Sequence, residues 1–274
     1  MRFLLGPLRL LGLVLLLVIG LAIALLVFPW LSQPSRNRII RAWSRVLVAV
    51  CGLRVNVAGA VPVELSRTGL QAGGAGRLLL VNHISWIDIF ALNAAMPTRF
   101  VAKAEIGAWP VMGTLVTLAG TLYIERGRRH AVHATNQRVR DRLLAGESVA
   151  VFPEGTTTDG RQLLPFHSNL VASALEVGCD VWPVALRYTQ RGQPTSAAAF
   201  IGETTLVESM WRIATAGGLE IEVAFLAPVA TVSTADGAPP TRHHVAQVAR
   251  AAIAAHLGLA GAESPPALRP TAGP

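Results

Sequence analysis

Leu78-Leu79-Leu80-Val81-Asn82-His83-Ile84-Ser85-Trp86-Ile87-Asp88 begins as an unbroken apolar run and stops at polar, turn-forming residues. A second stretch repeats the pattern, with the run from Ser148 to Phe152 breaking into Pro153-Glu154-Gly155-Thr156. Strands that end this way are where open α/β sheets place their ligands. If the two strand ends lie side by side, an imidazole, a carboxylate to orient it and an acidic loop converge on one site. Around these stretches strand and helix candidates alternate, which predicts an α/β fold with a mixed or parallel sheet flanked by helices. The strands read as 54–57, 78–82, 99–102, 121–124, 149–152, 181–187 and 220–225. The helices read as 87–95, 109–119, 130–145 and 170–177, with an alanine-rich one at 242–257. Gly73-Gly74-Ala75-Gly76 precedes a strand instead of following one, so it is a flexible loop and not a dinucleotide fingerprint.

The spacing of His83 and Asp88 constrains what they can do. Five positions along a helix turn through about 500°, leaving the two side chains roughly 140° apart if both are helical. They meet only if His83 sits in a loop and Asp88 in the first turn of a helix starting near Ser85. A carboxylate against one imidazole nitrogen fixes the tautomer and leaves the other nitrogen as a base. Such a base suits a hydroxyl that loses its proton while attacking a carbonyl. The same residues also read as a capping box, with Ser85 as N-cap and Asp88 at the third helical position.

Asn82-His83-x4-Asp88 together with Phe152-Pro153-Glu154-Gly155-Thr156 resembles the glycerolipid acyltransferase family, which includes 1-acylglycerol-3-phosphate and other lysophospholipid acyltransferases. Gly120-Thr121-Leu122-Tyr123-Ile124-Glu125-Arg126 and Val181-Trp182-Pro183-Val184-Ala185-Leu186 resemble two further blocks of that family in the right order. Lys103-Ala104-Glu105 and Trp109-Pro110-Val111-Met112-Gly113 also look familial, and the resemblance spans roughly residues 55 to 230. It implies His83 and Asp88 as the catalytic pair, and Glu154, Gly155, Thr156, Arg126 and Lys103 as substrate-binding residues. It implies direct acyl transfer to the free hydroxyl of a lysophospholipid, first of all 1-acyl-sn-glycerol-3-phosphate, to give phosphatidate. Acyl-CoA or acyl carrier protein would be the donor substrate, with no resident cofactor and no metal. The oxyanion donors are not identified by the sequence; backbone amides after Phe152 or at the Ser85 helix start are the candidates. One departure bears on the acceptor. Position 157 is threonine where phosphate-binding relatives carry arginine, and His167 stands where they usually carry lysine. The loss of a bidentate phosphate partner opens a lyso-ornithine lipid or lysophosphatidylcholine as an alternative acceptor.

Composition fits a membrane enzyme. Of 274 residues, 52% are hydrophobic and only 15% charged, and the formal charge is +8. Residues 1–54 hold seven arginines and no acid, leaving 17 basic and 16 acidic groups for the other 220 residues. Charge concentrated beside an apolar segment speaks for anionic lipid, whereas a nucleic-acid binder spreads it over the folded domain. Leu10–Phe28 is 19 residues without a charge, about enough to cross a hydrocarbon core. Four arginines between 36 and 45 follow it, which predicts an inner-membrane anchor with the catalytic domain facing the cytoplasm. Gly12, Gly20 and Pro29 also allow a re-entrant hairpin, and a cleaved signal peptide is the rival reading. Residues 36–51 have the period of an amphipathic helix, lying on a bilayer or packed on the catalytic domain. The expected organisation is therefore an anchor at 1–30, an interfacial helix at 31–54, a catalytic domain at 55–232 and a C-terminal helix with a disordered tail at 233–274.

Other chemistry finds little support. Cys51 and Cys179 lack metal spacing, and His130, His133, His243 and His244 lack ligand partners. Neither a Gly-x-Ser-x-Gly elbow nor a P-loop occurs. A hydrolase using the same His-Asp pair, or an inactive lipid-binding scaffold on this fold, are the remaining alternatives.

Overall fold

The computed structural model describes residues 2–62, 76–125, 129–232 and 240–260. Eight strands form one sheet: β1 (Leu53–Gly59), β2 (Arg77–Val81), β3 (Arg99–Lys103), β4 (Leu122–Ile124), β5 (Ser148–Val151), β6 (Val181–Gln190), β7 (Gln193–Pro194) and β8 (Leu219–Phe225). Their order is β1-β8-β6-β2-β5-β3-β4, with the short β7 paired to β6. Along that path only β6 and β8 pair antiparallel; every other neighbour is parallel. The sheet is thus mixed, as expected, and all seven expected strands are present, six to within a residue or two and β6 running three residues further than expected.

The helices are α1 (Arg2–Leu26), α2 (Gln33–Val50), α3 (Asp88–Ala95), α4 (Met112–Leu118), α5 (Arg129–Leu144), α6 (Val171–Val177), α7 (Leu206–Thr215) and α8 (Arg242–Leu257). Strand alternation sorts the core into two layers. Leu79 and Val81 of β2 face one layer with α2 and α3, while Leu78 and Leu80 face the other with α5, α6 and α8. All four are fully buried, so β2 is the centre of the fold and each side chain contributes about 2 kcal/mol of burial. In α8, Val245, Ala249 and Ile253 are buried, so this helix belongs to the same core. Thr241 caps its first turn by accepting from the His244 amide, and Gly258, at φ +68°, ends it.

The helix expected at 109–119 begins only at Met112, after a turn in which Val111 takes φ +62°, and two further elements differ from expectation. The first is α7, which sequence reasoning passed over. Its signal was present in Thr205-Leu206-Val207-Glu208, where the Thr205 hydroxyl accepts from the Glu208 amide. The second is α1, which starts at Arg2 and so carries Arg9 inside the helix. Arg9 Nη1 donates to the Ala214 carbonyl at 2.7 Å, in the last turn of α7, where a cation meets the negative end of a helix. The rest of α1 lies along the domain. A Cβ on Gly20 would come within 3.0 Å of the Trp43 ring, and Trp43 Nε1 donates to the Leu16 carbonyl. The opposite face, with Leu8, Leu11, Val14, Leu15, Val18, Leu25 and Leu26, is exposed. Helix α2 buries Ser44, Leu47 and Val48, and α3 lies beside it.

Candidate active site

Strands β2 and β5 are parallel neighbours, with Leu80 opposite Val151. The chain therefore leaves both strands at the same sheet edge, and the two polar stretches meet there. Asn82 extends the ladder with its side chain. Its Nδ2 donates to the Leu186 carbonyl at 3.0 Å, and its Oδ1 accepts from the Leu186 amide at 2.7 Å. This lets the backbone of β2 turn away without orphaning its neighbour on β6.

His83 is held from both sides. Its amide donates to Glu154 Oε1 at 2.8 Å, its carbonyl accepts from the Thr158 amide at 2.8 Å, and its ring stacks on Phe152 at 3.8 Å between centroids. Nδ1 lies 2.8 Å from Asp88 Oδ2. Asp88 is fully buried and also accepts from the amides of Ile84 (2.8 Å) and Ser85 (2.9 Å) and from the Tyr188 hydroxyl (2.5 Å, on Oδ1). A carboxylate so supplied with donors keeps Nδ1 protonated. Nε2 has no partner among the described residues, on a side chain that is 18% exposed. The tautomer needed for a base is thereby built in.

Only half of the capping box forms: Asp88 accepts from the Ser85 amide, but the Ser85 hydroxyl returns no bond. The helix begins at Asp88 behind Ile87, and the Ser85 hydroxyl is buried without a partner. Asp88 instead reaches back to the amides of the preceding loop. The Ser85 amide, expected among the oxyanion donors, is thus already engaged.

Glu154 lies behind the site. It is buried, and its second oxygen accepts from the Leu164 amide at 3.0 Å. Burial pushes its carboxyl up, against the pull of the Leu164 and His83 amides. Leu163 and Leu164 are held in turn by Arg250 of α8, whose Nη2 and Nε donate to their carbonyls at 2.6 and 3.0 Å. Gly155 takes φ +74° in the turn after Phe152, and Thr156 is exposed at the site's mouth. Lys103, exposed at the end of β3, lines a cleft with Phe152, Pro153, Gly155, His167 and Asn169. Arg126, the Gly73-Gly74-Ala75 loop and the tail from Ser264 lie outside the described residues. Thr157 hydrogen-bonds through its hydroxyl to the Phe200 carbonyl.

A second, apolar cavity of about 80 Å³ opens between α1, α2, α3 and α4, lined by residues such as Ile23, Ile40, Trp43, Phe90, Phe100 and Leu115. Phe100 stacks at 6.0 Å on Phe152, the ring that supports His83, so the cavity adjoins the site. Tyr188, on β6, was not foreseen; nothing local in Leu186-Arg187-Tyr188 marks it. Among the described residues no three His, Cys, Asp or Glu side chains converge as a metal site requires.

Residues 55–187 match the sequence family described as Acyltransferase. A lyso-ornithine lipid O-acyltransferase from Pseudomonas aeruginosa is 37% identical over 239 residues, 84% of this chain and 85% of that protein. A 1-acyl-sn-glycerol-3-phosphate acyltransferase from Neisseria gonorrhoeae is 33% identical over 226 residues, 82% of this chain and 85% of its own. The crystal structure of the 1-acyl-sn-glycerophosphate acyltransferase from Thermotoga maritima has the same fold, with a TM-score of 0.63 at 17% identity, over 93% of this chain and 98% of that one.

Proposed function

We propose a reaction for this chain, which belongs to the acyltransferase family: transfer of a fatty acyl group from a thioester to the free hydroxyl of a lysolipid. The carrying observation is the His83–Asp88 contact at 2.8 Å, with Nε2 left free beside the Phe152 ring. Nε2 takes the hydroxyl proton as that oxygen attacks the thioester carbonyl. Asp88 stabilises the imidazolium that results. The tetrahedral intermediate then collapses, the carbon–sulfur bond breaks, and the departing sulfur takes the proton back from Nε2. Neither cysteine supports an acyl-enzyme: both are buried, and burial pushes their thiols up to about 12 (Cys51) and about 11 (Cys179).

The donor is acyl-CoA or acyl carrier protein, and the apolar cavity beside Phe100 suits a hydrocarbon chain. The acceptor reading is 1-acyl-sn-glycerol-3-phosphate, with Lys103 at the cleft as a cation for its head group. Thr157 favours a second acceptor, lyso-ornithine lipid. Its hydroxyl is committed to the Phe200 carbonyl and supplies no guanidinium for a phosphate. The exposed apolar face of α1 supports membrane association, and its packing along α2, α4 and α7 supports a helix lying in one leaflet. The arginines of residues 36–45 support the cytoplasmic side of the inner membrane.

Product analysis by mass spectrometry tests the reaction. Purified protein is given acyl-CoA or acyl carrier protein donors and each acceptor in parallel, with His83→Ala as control. His83-dependent acylation of a lysolipid is expected. Fatty acid released to water without an acceptor would replace transfer by hydrolysis.

A further inference from the structure

We infer that Tyr188 is a positioning residue of this site, the third member of a His83–Asp88–Tyr188 relay, whose hydroxyl decides which Asp88 oxygen faces the imidazole. The inference rests on the acyl-transfer reading above. The two Asp88 oxygens are unequally supplied. Oδ2 receives His83 Nδ1 and the Ile84 and Ser85 amides, whereas the donor on Oδ1 is the Tyr188 hydroxyl at 2.5 Å. Both groups are buried beyond the reach of water, so without that hydroxyl one carboxylate oxygen would face apolar surroundings. The carboxylate would then be free to rotate, which misaligns Nε2, while its undiluted charge would hold the imidazole proton more tightly.

The sheet itself delivers the contact. Strand β6 runs parallel to β2 with Val184 opposite Val81, and alternation carries Val184, Leu186 and Tyr188 to the layer that holds α3. Burial and the neighbouring Asp88 push the phenol well above its ordinary range, so it remains a donor throughout working pH. The charged and titratable groups facing the relay are Glu154 behind His83 and Cys51 at the end of α2, with Arg9 of α1 beyond Cys51.

A donor on Oδ1 draws charge from Asp88 and so weakens its hold on the imidazole proton. Tyr188→Phe keeps the ring and removes the donor. We expect kcat to fall about tenfold with KM for donor and acceptor within twofold, and the acidic limb of the kcat profile to move to higher pH. A purely packing role would leave that limb in place. The isosteric counterpart is fluorotyrosine, which is a stronger donor. The chain has two tyrosines, so incorporation in a Tyr123→Phe background labels Tyr188 alone, and the limb should move to lower pH. Titration of His83 by NMR of nitrogen-labelled histidine reads the same two shifts without turnover. If wild type shows no His83-dependent transfer, the reaction reading falls while the NMR shifts still decide the relay. Unchanged titration in both variants, or Tyr188→Phe activity within twofold of wild type, would overturn it.

Discussion

Replacing Glu154 by glutamine separates two roles that a carboxylate in this loop can have. Its oxygens accept from the His83 amide at 2.8 Å and the Leu164 amide at 3.0 Å, and the residue is 5% exposed. Glutamine has the same shape but one acceptor and one donor, so one of the two amides meets an NH2 group head-on. No water reaches the pair. An unsatisfied buried amide costs about 1–3 kcal/mol, and loss of a charge that burial already disfavours offsets part of it. A net loss of about 1–2 kcal/mol lowers Tm by roughly 2–8 °C in a domain of this size. The raised carboxyl adds a sign. Stability from Glu154 is fully present below its ordinary value of 4.5 and is lost as pH rises through the folded value. The Tm advantage of wild type over the variant should therefore be widest at low pH. Kinetically, a His83 loop displaced by part of an ångström should lower kcat by roughly 10- to 100-fold. Thiol release from an acyl thioester at saturating lysolipid measures kcat, and acceptor titration gives KM. A variant with normal kcat and a raised acceptor KM would refute the reasoning, because it would put Glu154 on the substrate instead of behind His83.

Asn82→Ala removes both bonds to Leu186 and should cost about 2 kcal/mol, read as a lower midpoint in chemical denaturation. Native protein should show no thiol reactive to a disulfide reagent at pH 8, against two after denaturation, because burial holds Cys51 near 12 and Cys179 near 11. Thr157→Arg should raise kcat/KM for a phosphate-bearing acceptor relative to lyso-ornithine lipid by about tenfold, measured with both acceptors in one mixture. Arg250→Met frees the Leu163 and Leu164 carbonyls and should lower kcat more than it lowers donor affinity, seen in steady-state kinetics.

What the sequence disclosed follows the range of the interactions. Leu78–Val81 and Val149–Phe152 were legible because apolar runs ending at polar residues are local signals. The meeting of His83 with Asp88 was legible because five residues limit the geometry. The start of the helix at Asp88 was not, since the Ile84 and Ser85 amides that Asp88 collects lie in a loop whose path is set by partners far along the chain, such as Phe200, whose amide donates to the Ile84 carbonyl. Tyr188 and Arg250 were beyond reach because their partners lie 100 and 86–87 residues away in the chain. The same holds for Glu154, whose carboxylate looks like a ligand in sequence and in the fold clamps two backbone amides. Helix α7 was missed for a different reason. Its signals were local: Leu206, Met210 and Ile213 recur at helical spacing behind the Thr205 cap, and they were passed over between the 181–187 strand and the 220–225 one.

The placement of β6 between β2 and β8 sets an order of events during synthesis. Asp88 finds its hydroxyl partner 100 residues later in the chain, and Asn82 finds its ladder partner 104 residues later. Helix α1 leaves the ribosome long before either, with its apolar face already complete. The proposed base therefore gains its last support only after most of the chain, α1 included, has been made. A nascent chain halted before β6 would carry both members of the His83–Asp88 pair without the Tyr188 hydroxyl or the Leu186 ladder that hold them in place.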